Sequence, residues 1–149
     1  MKEILESKIR ITSTISELDS SGLSIGEEEK TESESCGFYH LFEDKILITY
    51  SDESEGVRIE SEIEITSDTV IVERKGALES RLIFEEGKTH HSLYKIPPYS
   101  FDAAVTAKKI RNNLSREGGT LDLFYKMSIG GADKGARMKI WISPLSKQT

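Results

Sequence analysis

Apolar and polar side chains alternate along most of this chain, and the alternation is strictest over residues 57–65. The apolar positions of that segment are Val57, Ile59, Ile63 and Ile65, and the charged positions are Arg58, Glu60, Glu62 and Glu64. A period of two is typical of a half-buried β-strand, because successive side chains of a strand point to opposite faces. Turn signals at Ser67-Asp68 and Lys75-Gly76-Ala77 divide residues 57–84 into three strands. We therefore predict an antiparallel meander.

The same alternation recurs on both sides of the meander. It predicts strands over residues 8–16, 46–50, 88–96, 121–127 and 137–142, and a loop over residues 17–26. Residues 1–7 are expected to form a short helical turn or a disordered leader. The run from Glu27 to Cys36 contains five glutamates and is a solvated segment or a strand from about Thr31, with Ser33 and Ser35 facing inward.

The longest extended run, over residues 101–114, changes its phase. Apolar side chains hold the odd positions up to Ala107, and then Ile110 and Leu114 are apolar at even positions. A β-bulge near Lys108 and Lys109 would produce this change of phase. The alanines also leave a helix over Ala103–Leu114 as the alternative.

About eight to ten short strands joined by tight turns are typical of a β-sandwich or an up-and-down barrel. Sequential hairpins without a long crossover favour the barrel, which also removes exposed sheet edges. The sequence thus predicts one all-β domain over residues 1–149, folded as an antiparallel up-and-down β-barrel.

The composition indicates the cellular location of this domain. The 149 residues include a single cysteine, Cys36, so an internal disulfide is excluded. The chain contains no run of about 18 apolar residues, so the sequence predicts no membrane-spanning helix. Its first residues lack the apolar core of a secretion signal. We therefore expect a cytoplasmic protein with no membrane association.

Charge is divided unevenly along the chain. Residues 1–70 contain 18 acidic and 6 basic side chains and residues 71–149 contain 8 and 14, which together give the net charge of −6. Either both signs serve as solvated outer residues, or the folded surface is polarised and its basic side meets an anion or an acidic partner.

Several short motifs, taken in order, resemble the YwiB-like family of small bacterial proteins. They are Gly37-Phe38-Tyr39, Ile46–Tyr50, Arg74-Lys75-Gly76, the segment from Leu82 to Gly87, Tyr94 with prolines after it, Val105-Thr106, and the segment from Gly118 to Tyr125. The resemblance covers nearly the whole chain and implies a calycin-type, lipocalin-like β-barrel in a bacterial cytoplasm. The turn at Ile96-Pro97-Pro98 departs from the Thr-Pro and glycine of the family pattern. The family has no established activity, so the resemblance implies no catalytic residues.

The residues themselves show no catalytic, metal or cofactor motif. His90 and His91 are adjacent and would face opposite sides of a strand, and one cysteine provides no zinc-ligand spacing. Cys36 has no basic neighbour in sequence that would activate its thiol, so we expect it to be a small buried side chain. The segment from Gly130 to Gly135 lacks the spacing and the following helix of a phosphate loop. An enzyme is therefore the least favoured function.

Two functions remain open. The first is binding of a small, partly apolar ligand inside the barrel, with Arg74, Tyr94 and Tyr125 as polar contacts, although these side chains equally well fill a solid core. The second is a regulatory or protein-interaction module that binds an acidic protein or another copy of the chain. Its predicted basic surface consists of Lys108, Lys109, Arg111, Arg116, Arg137 and Lys139. Nucleic-acid binding is disfavoured, because Phe124, Tyr125 and Trp141 only partly interleave with these cations.

Overall fold

The computed structural model describes residues 2–19, 21 and 23–145. Within these residues the chain forms ten strands: β1 (Glu3–Leu18), β2 (Ser24–Leu41), β3 (Ile46–Ser54), β4 (Val57–Ile65), β5 (Val70–Gly76), β6 (Glu79–Phe84), β7 (Thr89–Ile96), β8 (Tyr99–Ser115), β9 (Gly118–Ile129) and β10 (Ala132–Pro144). Each strand pairs antiparallel with the next, and β1 pairs with β10 to close a barrel. The predicted all-β up-and-down barrel is confirmed. In this part of the chain no helix is long and apolar enough to cross a membrane.

The strand that organised the sequence prediction is β4. Ile63 and Ile65 are buried, whereas Glu62, which precedes Ile63, is exposed. Ile63 lies opposite Ile48 of β3 and Val72 of β5, so the predicted apolar face of the meander is the inner face of the barrel. Full burial of an aliphatic side chain such as Ile63 stabilises the fold by about 1.5–3 kcal/mol.

The beginning of the chain differs from the prediction. β1 starts at Glu3, so the expected leader over residues 1–7 is part of the first strand as far as it is described. β2 starts at Ser24, which shortens the expected loop over residues 17–26; Ser20 and Gly22 of that loop lie outside the described residues.

The glutamate-rich run is part of β2, which answers the question that its sequence left open. Ser33 and Ser35 lie opposite Ile11 and Ile9, two inward-facing residues of β1, so they face inward as expected. The outer face of this strand pair is joined by ion pairs from Lys8 to Glu34 at 3.0 Å and from Arg10 to Glu32 at 2.7 Å. Cross-strand charge pairs of this kind stabilise a sheet by about 0.2–1 kcal/mol each.

β8 contains the predicted bulge and no helix. Its register against β9 shifts between Ala107 and Lys109, so that Lys108 is the additional residue. The helical alternative over Ala103–Leu114 is wrong, because these residues pair with β7 and β9. Pairing on both sides outweighs the weak helix preference of the alanines.

The interior differs between the two ends of the barrel. The packed half lies towards the β2–β3, β4–β5, β6–β7 and β8–β9 turns and contains fully buried side chains: Tyr39, Ile48, Ile63, Val72, Phe84, Leu121, Leu123 and Ile140. The open half lies towards the other five hairpins and has polar inward-facing positions: Ser35, Asp52, Ser61, Arg74, Ser80 and Tyr94.

β2 and β3 form a fork in the wall of the barrel. They pair from Gly37–Leu41 to Ile46–Tyr50, and the described residues of β2 before Gly37 pair only with β1. A cleft of about 480 Å³ lies at this fork and is lined by residues of both strands and of β4 and β5. The fork is thus an opening between two neighbouring strands at the open half of the barrel.

Candidate functional site

Arg74 and Tyr94, two of the predicted ligand-binding residues, occupy inward-facing positions of the open half. Arg74 follows Val72 by two residues on β5 and therefore shares the inner face with that fully buried valine. Arg74 lies opposite Ser80 of β6, and Ser80 lies opposite Tyr94 of β7. The three strands thus place a guanidinium, a hydroxyl and a phenol on one row of the inner face.

Tyr125, the third predicted ligand-binding residue, lies in the barrel interior on β9. Its side chain is buried, and its ring packs edge-on against Phe84 with centroids 4.9 Å apart. Burial raises the pKa of the Tyr125 phenol, the positive charge of Arg74 acts against this rise, and Tyr94 adds to it. The three predicted residues are therefore within electrostatic reach of one another.

Arg74 has an unusual electrostatic environment for an inward-facing cation. It makes no ion pair with any carboxylate in the described part of the chain, although Lys75 and Arg81 beside it both pair with Glu73. Its side chain is half-buried. A partly desolvated guanidinium without a counter-charge favours an anion, which it can bind through two parallel hydrogen bonds.

Two buried serines flank Arg74 and were not singled out from the sequence. Ser61 of β4 and Ser80 of β6 lie opposite Arg74 on its two sides, and each is 5% exposed. The hydroxyl of Ser80 has no hydrogen-bond partner among the described residues. The alternation of β4 does place Ser61 on the inner face between Ile59 and Ile63, but register with β5 is needed to place either serine beside Arg74.

Most of the predicted basic surface comes together on the outside of β8, β9 and β10. Lys109 lies opposite Phe124, which lies opposite Arg137, and Arg111 lies opposite Asp122, which lies opposite Lys139. The neighbouring row places Arg10 of β1 opposite Trp141 of β10. We call this surface the basic face, and it consists of Arg10, Lys109, Arg111, Phe124, Arg137, Lys139 and Trp141.

The remaining aromatic and basic residues of that prediction are placed differently. Tyr125 faces the interior and takes no part in the basic face. Arg116 lies in the β8–β9 turn, where its Nε donates to both carboxylate oxygens of Glu3 at 3.0 Å. That ion pair also raises the pKa of Arg116. Lys108 is exposed at the bulge beside Lys109.

The histidines and carboxylates form no metal centre in the described residues, where no group of three or more potential ligands is close enough to hold an ion. His90 Nε2 lies 3.1 Å from Glu85, and this hydrogen bond lowers the pKa of the Glu85 carboxyl. His91 is on the opposite, exposed face, as its position next to His90 predicted. His40 lies near Thr49, and burial lowers the pKa of its imidazole.

Cys36 corrects a prediction, because its side chain is exposed rather than buried. It lies on the outer face of β2 next to Gly37, where β2 and β3 separate. The strand period could have indicated this, since Cys36 alternates with the inward-facing Ser35 and Gly37.

Comparison with known proteins agrees with the barrel. Residues 10–140 match the model of a domain of unknown function, DUF1934. The chain belongs to the DUF1934 family. An uncharacterised β-barrel protein of Bacillus subtilis strain 168, YwiB, is 25% identical over 105 residues, which are 70% of this chain and 74% of YwiB.

A crystal structure of the YwiB protein from Bacillus subtilis has the same fold. Its TM-score with this DUF1934 chain is 0.81 at 22% sequence identity, over 96% of this chain and 94% of that one. The resemblance to the YwiB-like family, first drawn from short motifs, is thereby confirmed.

Proposed function

We propose that this DUF1934 protein binds a small organic anion with an apolar part in the open half of the barrel. The observation that carries the proposal is Arg74, an inward-facing, half-buried guanidinium without an ion-pair partner among the described residues. A carboxylate, sulfonate or phosphate group would supply the missing counter-charge. Its hydrogen bonds to arginine are of the charge-assisted kind, which are about twice as strong as neutral ones.

The polar neighbours of Arg74 support the same ligand class. The unpartnered Ser80 hydroxyl and the Tyr94 phenol lie on the same inner row and can donate hydrogen bonds to an anion. A buried hydroxyl without a partner is unfavourable, so a ligand that accepts its hydrogen bond gains free energy on binding.

The apolar part of the ligand has partners in the same half. Ile59 and Phe101 lie on the inner rows next to Ser61 and Tyr94, and Met127 follows Tyr125 by two residues on β9. An apolar pocket with a few convergent polar groups is the usual form of a small-molecule site. The calycin-type, lipocalin-like character of the barrel and its cytoplasmic location belong to this proposal. Non-enzymatic binding fits the site better than catalysis, since the described residues of the site include no nucleophile paired with a base.

The test uses 8-anilinonaphthalene-1-sulfonate, a fluorescent organic anion with an apolar body, as the probe, and octanoate and 1-octanol as competitors. We expect octanoate to displace the probe and 1-octanol, which lacks the charge, to do so much less. The Arg74→Ala variant should weaken probe binding by about tenfold or more, as the loss of a charge-assisted hydrogen bond implies, and Tyr94→Ala should weaken it less.

Lys75→Ala is the matched control, because Lys75 is the next residue on β5 and points outward. It removes the same charge without touching the inner row, so its affinity for the probe should equal that of the unchanged protein. If circular dichroism shows both variants to be folded and Arg74→Ala binds the probe as tightly as Lys75→Ala, the proposal is wrong. If Arg74→Ala alone weakens probe binding, native mass spectrometry of protein purified gently from its own host would identify the natural ligand by its added mass.

A further inference from the structure

The basic face carries a second inference, which is independent of the barrel interior. We propose that the basic face binds single-stranded nucleic acid, with its cations on the phosphates and its two aromatic rings against bases. The sequence disfavoured this function because the aromatic residues only partly interleave with the cations along the chain. The fold changes that balance, because it brings residues from β1, β8, β9 and β10 onto one outer surface.

Most cations of the basic face are available to a ligand. Lys109, Arg111 and Lys139 are not ion-paired to a carboxylate within the described ranges. The acidic side chains beside these cations are Asp122 and Glu32. Asp122 is buried and accepts hydrogen bonds from Arg137 Nε at 3.2 Å and Nη2 at 3.0 Å. Glu32 forms an ion pair with Arg10 at 2.7 Å. The surface therefore has an excess of positive charge, which attracts a polyanion.

Each aromatic ring of the basic face is accompanied by two cations. The ring centroid of Phe124 lies 4.9 Å from Arg137 Cζ and 5.8 Å from Arg111 Cζ. The Trp141 ring lies 4.8 Å from Arg10 Cζ and 5.0 Å from Lys139 Nζ. Both rings are partly exposed. The cations lie over the ring faces, so a base that stacks on either ring takes the place of one cation, which can then meet a phosphate of the same strand. Aromatic rings beside such cations are the combination used by proteins that bind single strands without sequence preference.

The spacing of the rings fits a chain rather than one small anion. Trp141 lies opposite Thr120 on β9, and Phe124 follows Thr120 by four residues on the same strand. With a rise of about 3.3 Å per residue and strands about 4.8 Å apart, the Cα atoms of Trp141 and Phe124 are roughly 14 Å apart. One extended ligand can therefore contact both rings and cross the cations between them.

An acidic protein is the other partner that a basic surface attracts, and the rings distinguish the two. Carboxylates would use Lys109, Arg111 and Lys139 but would gain nothing from Phe124 or Trp141. The exposed outer faces of β2 and β4 carry many glutamates, which repel a polyanion and confine it to the basic face.

Trp141 is the only tryptophan of the chain, so the tryptophan fluorescence of the whole protein, excited apart from that of the tyrosines, reports on the basic face. The probe is a 5′-labelled single-stranded oligothymidylate, with binding followed by anisotropy and stacking followed by quenching of Trp141. We expect saturable binding with quenching. We also expect an affinity that falls with salt, with a slope in log–log form of about −0.7 for each phosphate contacted.

Two variants separate charge from stacking. Lys109→Glu with Arg111→Glu should abolish binding at moderate salt, whereas Arg58→Glu with Lys75→Glu, the same change of net charge on β4 and β5, should leave it unchanged. Trp141→Ala should weaken binding by about fivefold or more, as the loss of one stacked base implies, and Trp141→Phe should restore most of it.

Polyanions without bases provide the remaining outcomes. Polyphosphate and poly-glutamate should bind more weakly than the oligonucleotide and should not reproduce its quenching. Equal affinity and equal quenching with poly-glutamate would assign the basic face to an acidic protein instead. The proposal is overturned as well if the oligonucleotide does not bind at low salt or if its affinity ignores salt. Neither result affects the anion site at Arg74, because that site is read by a different probe and different variants.

Discussion

Tyr39 of β2 donates its phenolic hydroxyl to the main-chain carbonyl oxygen of Ser115, 76 residues later, at 2.8 Å. The tyrosine side chain is fully buried, and Ser115 is the last residue of β8. The bond therefore connects two strands that are not neighbours in the sheet, across the end of the packed half. Among the described residues, no main-chain hydrogen bonds pair β2 with β8, so this side-chain bond links the two strands directly across the barrel.

Tyr39→Phe should lower the free energy of unfolding by about 1 kcal/mol, the usual net contribution of one hydrogen bond. The ring stays in place, so the cost comes from the bond alone. Urea denaturation at pH 7 measures the difference. A loss of several kcal/mol would mean that the variant disturbs the packing of the ring.

Alkaline pH should remove part of the stability that Tyr39 provides. Burial raises the pKa of its phenol from 10.0 to about 12, so the folded state favours the neutral form and the unfolded chain ionises first. The contribution is therefore complete below pH 10 and is lost as the pH rises through 12. The unchanged protein should lose more stability between pH 9 and pH 11.5 than Tyr39→Phe does. Parallel losses in urea denaturation at both pH values would contradict this assignment.

Gly37→Ala should destabilise the barrel at the fork. A Cβ at Gly37 would overlap the carbonyl oxygen of Thr49 and would lie 2.8 Å from Ile9 Cδ1 and 2.9 Å from Tyr50 Cβ. Because backbone cannot move away easily, we expect a loss of about 1–3 kcal/mol or more in the free energy of unfolding. Gly135→Ala is the control, since its nearest neighbour is the flexible Leu18 side chain at 3.2 Å. Equal losses in the two variants would disprove the steric explanation.

Arg137→Met should cost more stability than Arg111→Met. Removal of the Arg137 guanidinium leaves the carboxylate of Asp122, whose side chain is only 9% exposed, without its counter-charge. The expected loss is about 1.5–3 kcal/mol, near the lower end because Arg137 itself is half exposed. Arg111 pairs with no described carboxylate and serves as the control. Thermal denaturation measures both, and Asp122→Asn should rescue part of the loss in the double variant.

Cys36 should react with a thiol reagent in the native protein. Its side chain is exposed, and it is the single cysteine, so one equivalent of 5,5′-dithiobis(2-nitrobenzoate) should be consumed per chain without denaturant. The rate in native buffer should be within about tenfold of the rate in urea, as exposure implies. Reaction that begins only after unfolding would show that the thiol is shielded.

Most of the fold could be predicted because apolar and polar side chains alternate along the strands with a period of two residues. The inward face of β4 follows from the alternation around Ile63, and the bulge at Lys108 follows from a change of phase. The long β2 was uncertain, since a strand of glutamates has no apolar side to reveal it. Its pairing with β1, the preceding strand, holds it in the sheet.

The candidate sites were predicted in part, because they depend on register between distant strands. Arg74 faces inward by the same alternation that buries Val72, so the sequence could indicate its direction. The unpartnered hydroxyl of Ser80 and the approach of Trp141 to Arg10 depend on which residues lie opposite each other, which alternation does not determine. Composition suggested a polarised surface, and pairing of the strands decides which cations share a face.

The unpaired edge of β2 before the fork affects whether copies of this chain associate. Over residues 24–36 no described strand pairs with that edge, and an open edge of this length is where other copies of a β protein can add strands. Glu27, Glu28 and Glu29 are exposed there and form no ion pair with a described cation. Two such edges would bring like charges face to face, which opposes their pairing. The glutamates thus oppose aggregation through the unpaired edge of β2, and the fork between β2 and β3 stays open.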